Sequence, residues 1–257
     1  MRIIFKYDYF PPPPPEFFRF TAYRSGTNID FFTDHTFSDA SADNFVVYKN
    51  DVVTDMSPYA LSFGANDIIE IKTKDFGKFP RIFASNKDYI KTIDSPLPNM
   101  YSSNNDTLTN LSNAFYNCKN LTGSIPNIPN SVTNMSNTFS YCYNLTGSIP
   151  NIPDSVTNMS NTFYNCRNLT GSIPNIPDSV TNMYHTFIWC SNLTSLPEKI
   201  GNSVTNMSGT FYDCRNLTGS IPNIPNSVTN MYHTFRNCFN LTSLPEKIGN
   251  SVTNMSG

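Results

Sequence analysis

Charged residues are scarce in this sequence. Asp, Glu, Lys and Arg make up 14% of the 257 residues, and the formal net charge is -2, whereas an average globular protein has about 25% charged residues. The broad basic surface of a nucleic-acid-binding protein is therefore missing. We expect no nucleic-acid partner, and only weak long-range steering of a charged one.

Long apolar runs are also absent. No uninterrupted stretch approaches the roughly 18 apolar residues that a membrane-spanning helix needs, so we expect no direct insertion into a membrane. The first residues, Met1–Asp8, contain charges and are followed by Pro11–Pro15, which is unlike a secretory signal. Two alternatives stay open: an export signal has been removed, or the protein leaves its cell in another way, for example within a virus particle.

What the sequence does contain is an internal period of 24 residues. A phenylalanine three residues before each cysteine and a leucine three residues after it keep this step, as do one Ile, one Val and one Met per copy. Such a short unit cannot close a core alone, so the copies must stack and bury these side chains against one another. The period includes all six cysteines of the chain, Cys118, Cys142, Cys166, Cys190, Cys214 and Cys238.

The sequence predicts a mostly β fold in four parts. Residues 108–257 form a solenoid of about six repeats, and residues 79–107 form a degenerate capping repeat in which Phe83–Tyr89 echoes the repeat motif. Residues 16–78 form a small β-sandwich-like domain, and residues 1–15 form a strand and a polyproline spacer that we expect to dock to a larger assembly. The strands predicted in the sandwich-like domain are Phe17–Ala22, Asn28–Thr33, Asn44–Lys49 and Asp67–Lys72.

The repeat motif resembles a known family. Residues Ala114–Leu121 carry Phe-x-x-Cys-x-x-Leu, which recurs six times in phase with Ser-Val-Thr-Asn-Met. This pattern resembles the BspA-like leucine-rich repeats of bacterial, protist and phage surface proteins. The resemblance implies a leucine-rich-repeat solenoid with a role in adhesion or host recognition, at a cell surface, outside the cell or on a virion. Two features depart from the family: the repeat has 24 residues rather than the commoner 23, and the residue before Phe is Thr after the first copy.

The regular cysteines raise the alternatives of a metal site or disulfides. Zinc ligands come in pairs two to four residues apart, whereas these cysteines are one full turn apart and have no local His or Cys partner. Adjacent turns are close enough for disulfides, but side chains stacked in register point in parallel. We therefore expect six buried, reduced thiols, and no metal or other cofactor.

Catalysis is not predicted. His185 and His233 invite a Cys-His nucleophile with Cys190 and Cys238, but each histidine lies in a copy of Met-Tyr-His-Thr-Phe. We interpret the histidines as duplicated scaffold. The carboxylates also do not form a one-off catalytic pair, since they occupy equivalent or nearly equivalent places in their repeats. They are Asp154, Asp178, Glu198 and Glu246.

Asparagine recurs at fixed places in every copy. Asn120 in Asn-Leu-Thr and Asn134 in Thr-Asn-Met, with their equivalents, are expected to satisfy backbone groups at bends and to form ladders. The Asn-Leu-Thr triplets are also sequons that a secretory pathway would glycosylate. The structural ladder is the interpretation that strict periodicity favours.

Variation among the copies is concentrated at the two positions after each Phe and the one after each Cys. Neutral drift on a surface is one explanation. The residue types favour another, because Tyr, Trp, Phe and Arg are enriched at binding hot spots. The candidate partner-binding residues are Tyr116, Tyr141, Tyr143, Tyr164, Arg167, Trp189, Tyr212, Arg215, Arg236 and Phe239.

Three functions remain. The leading one is a non-enzymatic adhesion or receptor-recognition protein of a cell surface or virion, which binds a cell-surface glycan or protein through the variable positions. The alternative is a structural spacer or decoration protein of a larger assembly. A glycan-active enzyme comes third, because a unique pair of carboxylates is missing.

The sequence stops in mid-repeat at Val252–Gly257. Such an end would expose one turn of core. We expect that the natural gene continues, that the last turn is frayed, or that another chain covers it.

The cysteine interpretation gives a first test. A thiol count in denaturant without reductant should find six free groups, because stacked, buried cysteines are not oxidised in pairs. Fewer than four free groups would contradict the prediction.

Overall fold

The computed structural model describes residues 17–29, 45–58, 60–73, 79–80, 89–95, 97, 100–101 and 109–256. The predicted strand and polyproline spacer at 1–15 lie outside these residues, as does all but the last residue of Phe83–Tyr89. Within the described residues the protein contains thirteen short strands and no helix. It is therefore a β-rich chain, as the sequence predicts.

Nine of the strands precede the repeats and four lie within them. Three predicted strands are confirmed to within one residue, while the fourth, Asn28–Thr33, is described only as far as residue 29. The strands are β1 (Phe17–Ala22), β2 (Gly26–Ile29), β3 (Phe45–Lys49), β4 (Val52–Thr54), β5 (Leu61–Phe63), β6 (Ile68–Thr73), β7 (Phe79–Pro80), β8 (Ile90–Ile93), β9 (Met100–Tyr101), β10 (Gly171–Ser172), β11 (Leu193–Ser195), β12 (Gly219–Ser220) and β13 (Leu241–Ser243).

The N-terminal part is built on an antiparallel five-stranded sheet in the order β4-β3-β6-β1-β8. Side chains along β1 alternate: Phe18 and Phe20 are fully buried, and Arg19 between them is half-buried. Strands β2 and β5 form a separate antiparallel pair. Phe63 of β5 lies edge-on to Phe20, with 6.0 Å between ring centroids. Aromatic packing thus joins the pair to the sheet.

Strand β8 links this sheet to the first repeat. It pairs with β1 at the edge of the sheet, and the carbonyl of Lys91 accepts a hydrogen bond from the amide of Thr122 at 2.7 Å. One repeat later, Thr146 makes the corresponding bond to Gly123 at 2.9 Å. At Thr122, the edge strand of the sheet therefore supplies the hydrogen-bond acceptor that the preceding repeat supplies to Thr146.

Successive repeats are joined by backbone hydrogen bonds that alternate along the chain. The amides of Phe115 and Asn117 donate to the carbonyls of Thr138 and Ser140 in the next repeat, at 2.8 and 2.7 Å, while the amide between them donates three residues back. The same alternation recurs in later repeats, and parallel bridges link asparagines 24 residues apart from Asn110 to Asn254. Each repeat is thus one turn of a stack.

Two positions per turn adopt a left-handed backbone. They lie two residues before and two residues after each stacked Phe, and their φ values fall between 53° and 63°. Asparagine tolerates this region better than most residues. The positions are Asn113, Asn137, Asn161, His185, Gly209 and His233 before Phe, and Asn117, Tyr141, Asn165, Trp189, Asp213 and Asn237 after it.

The core of the stack consists of ladders of identical side chains. Phenylalanine rings of neighbouring turns stack with centroids 5.2–5.9 Å apart and planes within 14° of parallel. The predicted burial of the six cysteines is confirmed. From Cys142 onward each thiol donates to the carbonyl of the preceding turn's Phe at 3.0–3.1 Å, so the thiol proton is used inside the core.

Two polar residue types stabilise the turns. From the second copy onward the residue before Phe is a buried Thr whose hydroxyl donates to the backbone, and that of Thr162 reaches the carbonyls of Met135 and Met159 at 2.8 Å each. The asparagine of Thr-Asn-Met accepts a hydrogen bond from the amide two residues on, as Asn134 does from Ser136 at 2.9 Å. The predicted role of these asparagines at bends is thereby confirmed.

The ladder predicts that a core substitution costs more where the ring is more deeply buried. Phe163 is fully buried, so Phe163→Ala should lower the free energy of unfolding by about 3–5 kcal/mol. Phe235 is only partly buried, and Phe235→Ala should cost less. Chemical denaturation of the two variants checks this, and equal losses would contradict it.

Candidate binding surface

The ten candidate residues lie on one side of the stack, and we call the surface they form the aromatic stripe. Each of them is exposed or half-exposed, which agrees with the predicted outward orientation. The accessible fraction is 38% for Tyr116 and 75% for Phe239. Since equivalent positions of stacked turns lie one above another, side chains that are far apart in sequence become neighbours.

The first half of the stripe is a continuous chain of aromatic contacts. Tyr141 lies 5.8 Å from Tyr116 and 5.0 Å from Tyr164, measured between ring centroids, and Tyr164 lies 5.3 Å from Trp189. Tyr143 joins through an edge-on contact with Tyr141 at 5.9 Å. Mutual packing restrains these rings before any partner binds.

The three arginines of the stripe are held by neighbouring groups. Arg167 donates to the side chain of Asn165 at 2.6 Å and lies 5.5 Å over the ring of Tyr143. Arg215 pairs with Asp213 at 3.1 Å. Arg236 contacts the ring nitrogen of His233 at 2.9 Å and lies 5.7 Å over the ring of Tyr212. The cationic heads are thus positioned along the aromatic surface.

Two tyrosine-histidine pairs belong to the same surface although they are not among the candidates. The rings of Tyr184 and His185 stack at 3.7 Å, and those of Tyr232 and His233 do the same. His185 also lies 6.3 Å from Tyr164. The duplicated Met-Tyr-His-Thr-Phe segments made these residues look like scaffold. The sequence nevertheless shows that these two positions vary, because the first three copies have Ser-Asn where the fourth and sixth have Tyr-His.

An open cleft of about 490 Å³ lies between the two pairs. Its lining includes the stripe residues Tyr164, Trp189 and Tyr212, together with Ser208 and Gly209. Burial raises the pKa of Tyr164 to about 12, helped by a hydrogen bond with Tyr141. Burial also lowers the pKa of His185 below its usual value of 6.5. At Tyr164 and His185 the cleft therefore offers neutral hydrogen-bonding groups at physiological pH.

The two cysteines considered as nucleophiles for these histidines lie in the core. Cys190 and Cys238 are buried, and their thiols donate to the carbonyls of Phe163 and Phe211, each at 3.0 Å. Burial raises the pKa of each thiol to about 12. A thiolate is the reactive form of cysteine, so neither thiol is prepared for attack.

The repeats match the family model described as the BspA type leucine-rich repeat region. The match comprises six copies over residues 109–242, just over half of the chain. The chain belongs to this family. BspA-type leucine-rich repeats form a non-enzymatic family, typically act in surface adhesion or protein interaction, and are often surface-exposed. The family resemblance inferred from Phe-x-x-Cys-x-x-Leu is thereby confirmed.

A second model, described as a Mycoplasma protein of unknown function, DUF285, matches residues 30–152. It overlaps the first BspA-type repeats and extends upstream of them. No curated protein and no solved structure matches the chain. In the part of the chain that the structure describes, no helix has the length and apolar character needed to cross a membrane.

A larger groove of about 1210 Å³ lies along another side of the BspA-type repeats. Three copies of the Asn-Ile-Pro segment line it, together with Asp154 and Asp178. Lys199 binds Asp178 at 2.7 Å and holds the pKa of that carboxyl below its usual value. The groove repeats the same polar side chains from turn to turn, in contrast to the changing residues of the aromatic stripe.

The environment of His185 predicts its titration. Its lowered pKa means that the folded protein binds fewer protons than the unfolded chain as the pH falls through 6.5. His185 should therefore titrate below 6.5 in an NMR experiment, and stability should decline as the pH is lowered through this range. His185→Gln identifies the resonance and should flatten that part of the stability profile. A pKa at or above 6.5 would contradict the predicted desolvation.

Proposed function

We propose that this protein is a non-enzymatic adhesion or receptor-recognition protein, displayed on a cell surface or virion, which binds a cell-surface glycan or protein through the aromatic stripe. The observation that carries the proposal is the backbone conformation of Tyr141 and Trp189. Both are bulky aromatic residues in the left-handed region, with φ values of 62° and 60°.

Aromatic residues at these two places are energetically unfavourable. A left-handed backbone costs a residue with a Cβ about 1–2 kcal/mol, and Asn and Asp tolerate it best. The other four copies have Asn117, Asn165, Asp213 and Asn237 there. Neutral drift that is limited only by the need for stability would be expected to keep Asn or Asp at this position. Replacement by Tyr and Trp supports selection for something other than stability, since strained conformations gather at functional sites.

Preorganisation of the side chains also supports recognition. The ring contacts from Tyr116 to Trp189 restrict rotamers before binding, so less conformational entropy is lost when a partner is bound. Tyrosine, tryptophan and arginine are also the residues most enriched among binding hot spots. The stripe contains all three types in contact with one another.

The rest of the chain fits the role of a support. We infer that the repeats form a leucine-rich-repeat solenoid that holds the stripe rigidly, with residues 79–107 as its capping repeat. In the same proposal, residues 16–78 are a β-sandwich-like mount, and residues 1–15 dock to a larger assembly. Strand β8 pairs with β1 of the mount, and its Lys91 accepts a hydrogen bond from Thr122, which supports a firm junction between mount and solenoid.

A structural spacer or decoration protein is the second candidate. The observation that favours it is the regularity of the stack, in which the Phe ladder and the turn-to-turn hydrogen bonds repeat almost unchanged. A spacer needs such a rod but does not need the stripe. Substitution within the stripe therefore separates the two functions.

The test uses Tyr141→Asn, which introduces the residue that three of the six copies have at this place. Thermal stability should stay the same or rise slightly, because backbone strain is relieved while some ring contacts are lost. Attachment of the labelled protein to a panel of whole bacterial and eukaryotic cells should weaken by about 2 kcal/mol, or roughly 30-fold.

Arg167→Ala should weaken attachment in the same way, with stability within about 0.5 kcal/mol of the parent. Tyr23→Ala is the matched control, because Tyr23 is a 47% exposed tyrosine of the N-terminal part, outside the stripe. Unchanged attachment in both stripe variants would move the spacer function to first place. Loss of stability would mean that the residues are core.

A further inference from the structure

The cleft between the two tyrosine-histidine pairs depends on one glycine. Gly209 occupies the left-handed position before Phe211, where the other copies have Asn or His. A Cβ atom built on Gly209 would lie only 2.4 Å from Cδ2 of His185. The ring of His185 therefore rests over the glycine in space that any other residue would occupy.

The same turn is small at the neighbouring position. Ser208 stands where the turns on either side have Tyr184 and Tyr232. The rings of Phe187, Phe211 and Phe235 step through these turns at 5.7 and 5.4 Å. Ser208 and Gly209 thus leave a gap one turn wide between two aromatic pairs. Only this turn combines two small residues with aromatic pairs on both sides.

The lining of the cleft is aromatic and uncharged. Aromatic faces and Ile188 supply apolar contact, while tyrosine hydroxyls, the Ser208 hydroxyl and imidazole nitrogens supply hydrogen-bonding groups. No Asp, Glu, Lys or Arg is among the lining residues described. Desolvation keeps His185 neutral at physiological pH. The guanidinium of Arg236 contacts the ring nitrogen of His233 at 2.9 Å, but Arg236 is not itself a lining residue, so no charged side chain lines the cleft. The chemistry fits a neutral ligand with one apolar face and a polar rim.

We propose that this cleft binds one neutral pyranose ring of a carbohydrate. A pyranose presents C–H groups on its faces, which suit the electron-rich faces of aromatic rings, and hydroxyls around its edge, which suit the polar groups of the cleft. The volume of about 490 Å³ lies within the usual range of small-ligand sites. The inference rests on the proposed recognition function and narrows its ligand class to a glycan.

The only tryptophan of the chain, Trp189, lines the cleft and reports on its occupancy. Its fluorescence should change in a saturable way on titration with at least one methyl pyranoside from a panel of neutral hexoses and N-acetylhexosamines. Saturation-transfer NMR with the same sugar should show contacts from the ring protons. If no sugar of the panel gives either signal, the proposal is wrong.

Gly209→Asn is the decisive variant. Asparagine occupies the equivalent left-handed position in three other turns, Asn113, Asn137 and Asn161, so the backbone is compatible. The new side chain must displace the ring of His185, which lines the cleft, so sugar affinity should fall at least 10-fold. Asn161→Gly is the matched control, since it makes the reverse exchange two turns away, and it should bind sugar as the parent does.

A second variant covers the case in which Gly209→Asn fails to fold. Tyr232→Ala removes a 41% exposed ring from one wall of the cleft and should weaken sugar binding while the circular dichroism spectrum and the melting temperature stay close to those of the parent. Sugar binding that survives both folded variants would overturn the assignment of the cleft.

The experiments distinguish a failure of the carbohydrate proposal from a failure of the proposed recognition function. If Gly209→Asn abolishes attachment to cells, but saturating free sugar does not compete with attachment of the parent, the cleft binds a protein and the carbohydrate proposal is wrong. Failure of the recognition function itself has another signature, namely full attachment by Tyr141→Asn and Arg167→Ala. Tyr141 contacts the lining residue Tyr164 but does not itself line the cleft, so Tyr141→Asn should retain monosaccharide binding.

Discussion

The alternating hydrogen bonds between successive turns are the interaction on which the rest of the structure depends. In each turn, every second amide around the buried Phe donates to the next turn, and the amides between them close tight turns within their own repeat. This arrangement requires left-handed residues on both sides of Phe. It also places each Phe, Cys and Thr above its counterpart, which explains why the same side chains recur. A residue that fits one turn fits all of them.

This backbone decides where variation is possible. Phe, Cys and Thr have neighbours above and below, and their polar groups are already used within the stack, as with the thiol of Cys166 and the hydroxyl of Thr162. Outward positions lack such neighbours on their solvent side. The left-handed position after Phe is an intermediate case, because its backbone favours Asn while its side chain is at least partly exposed in every turn except that of Asn165. In the proposed function, Tyr141 and Trp189 are therefore stronger candidates for contact with a partner than equally exposed residues elsewhere.

The sequence predicts the repeats well because chemically distinct residues recur at the same positions of every period. Phe115, Cys118 and Leu121 recur without exception, and burial of their equivalents in the middle turns follows directly. The left-handed positions leave a fainter trace, since an Asn two residues from Phe is compatible with many loops. The short strands β4, β5 and β8 were missed because strands of three or four residues depend on their partners. Lys91 in β8, for example, meets both a sheet and the first repeat, and no local pattern encodes that contact.

The aromatic stripe was predictable, whereas the cleft was not. Duplication of Met-Tyr-His-Thr-Phe argues against catalysis, because a catalytic group needs a unique arrangement of partners. The same argument does not apply to binding. Two copies of Tyr-His separated by one turn create two walls, and the small residues Ser208 and Gly209 between them create the space. A repeated pair of residues thus forms a cleft that occurs once, because one turn between the two copies differs. In such a stack, a small residue between two copies of a large one is the feature that reveals the cleft.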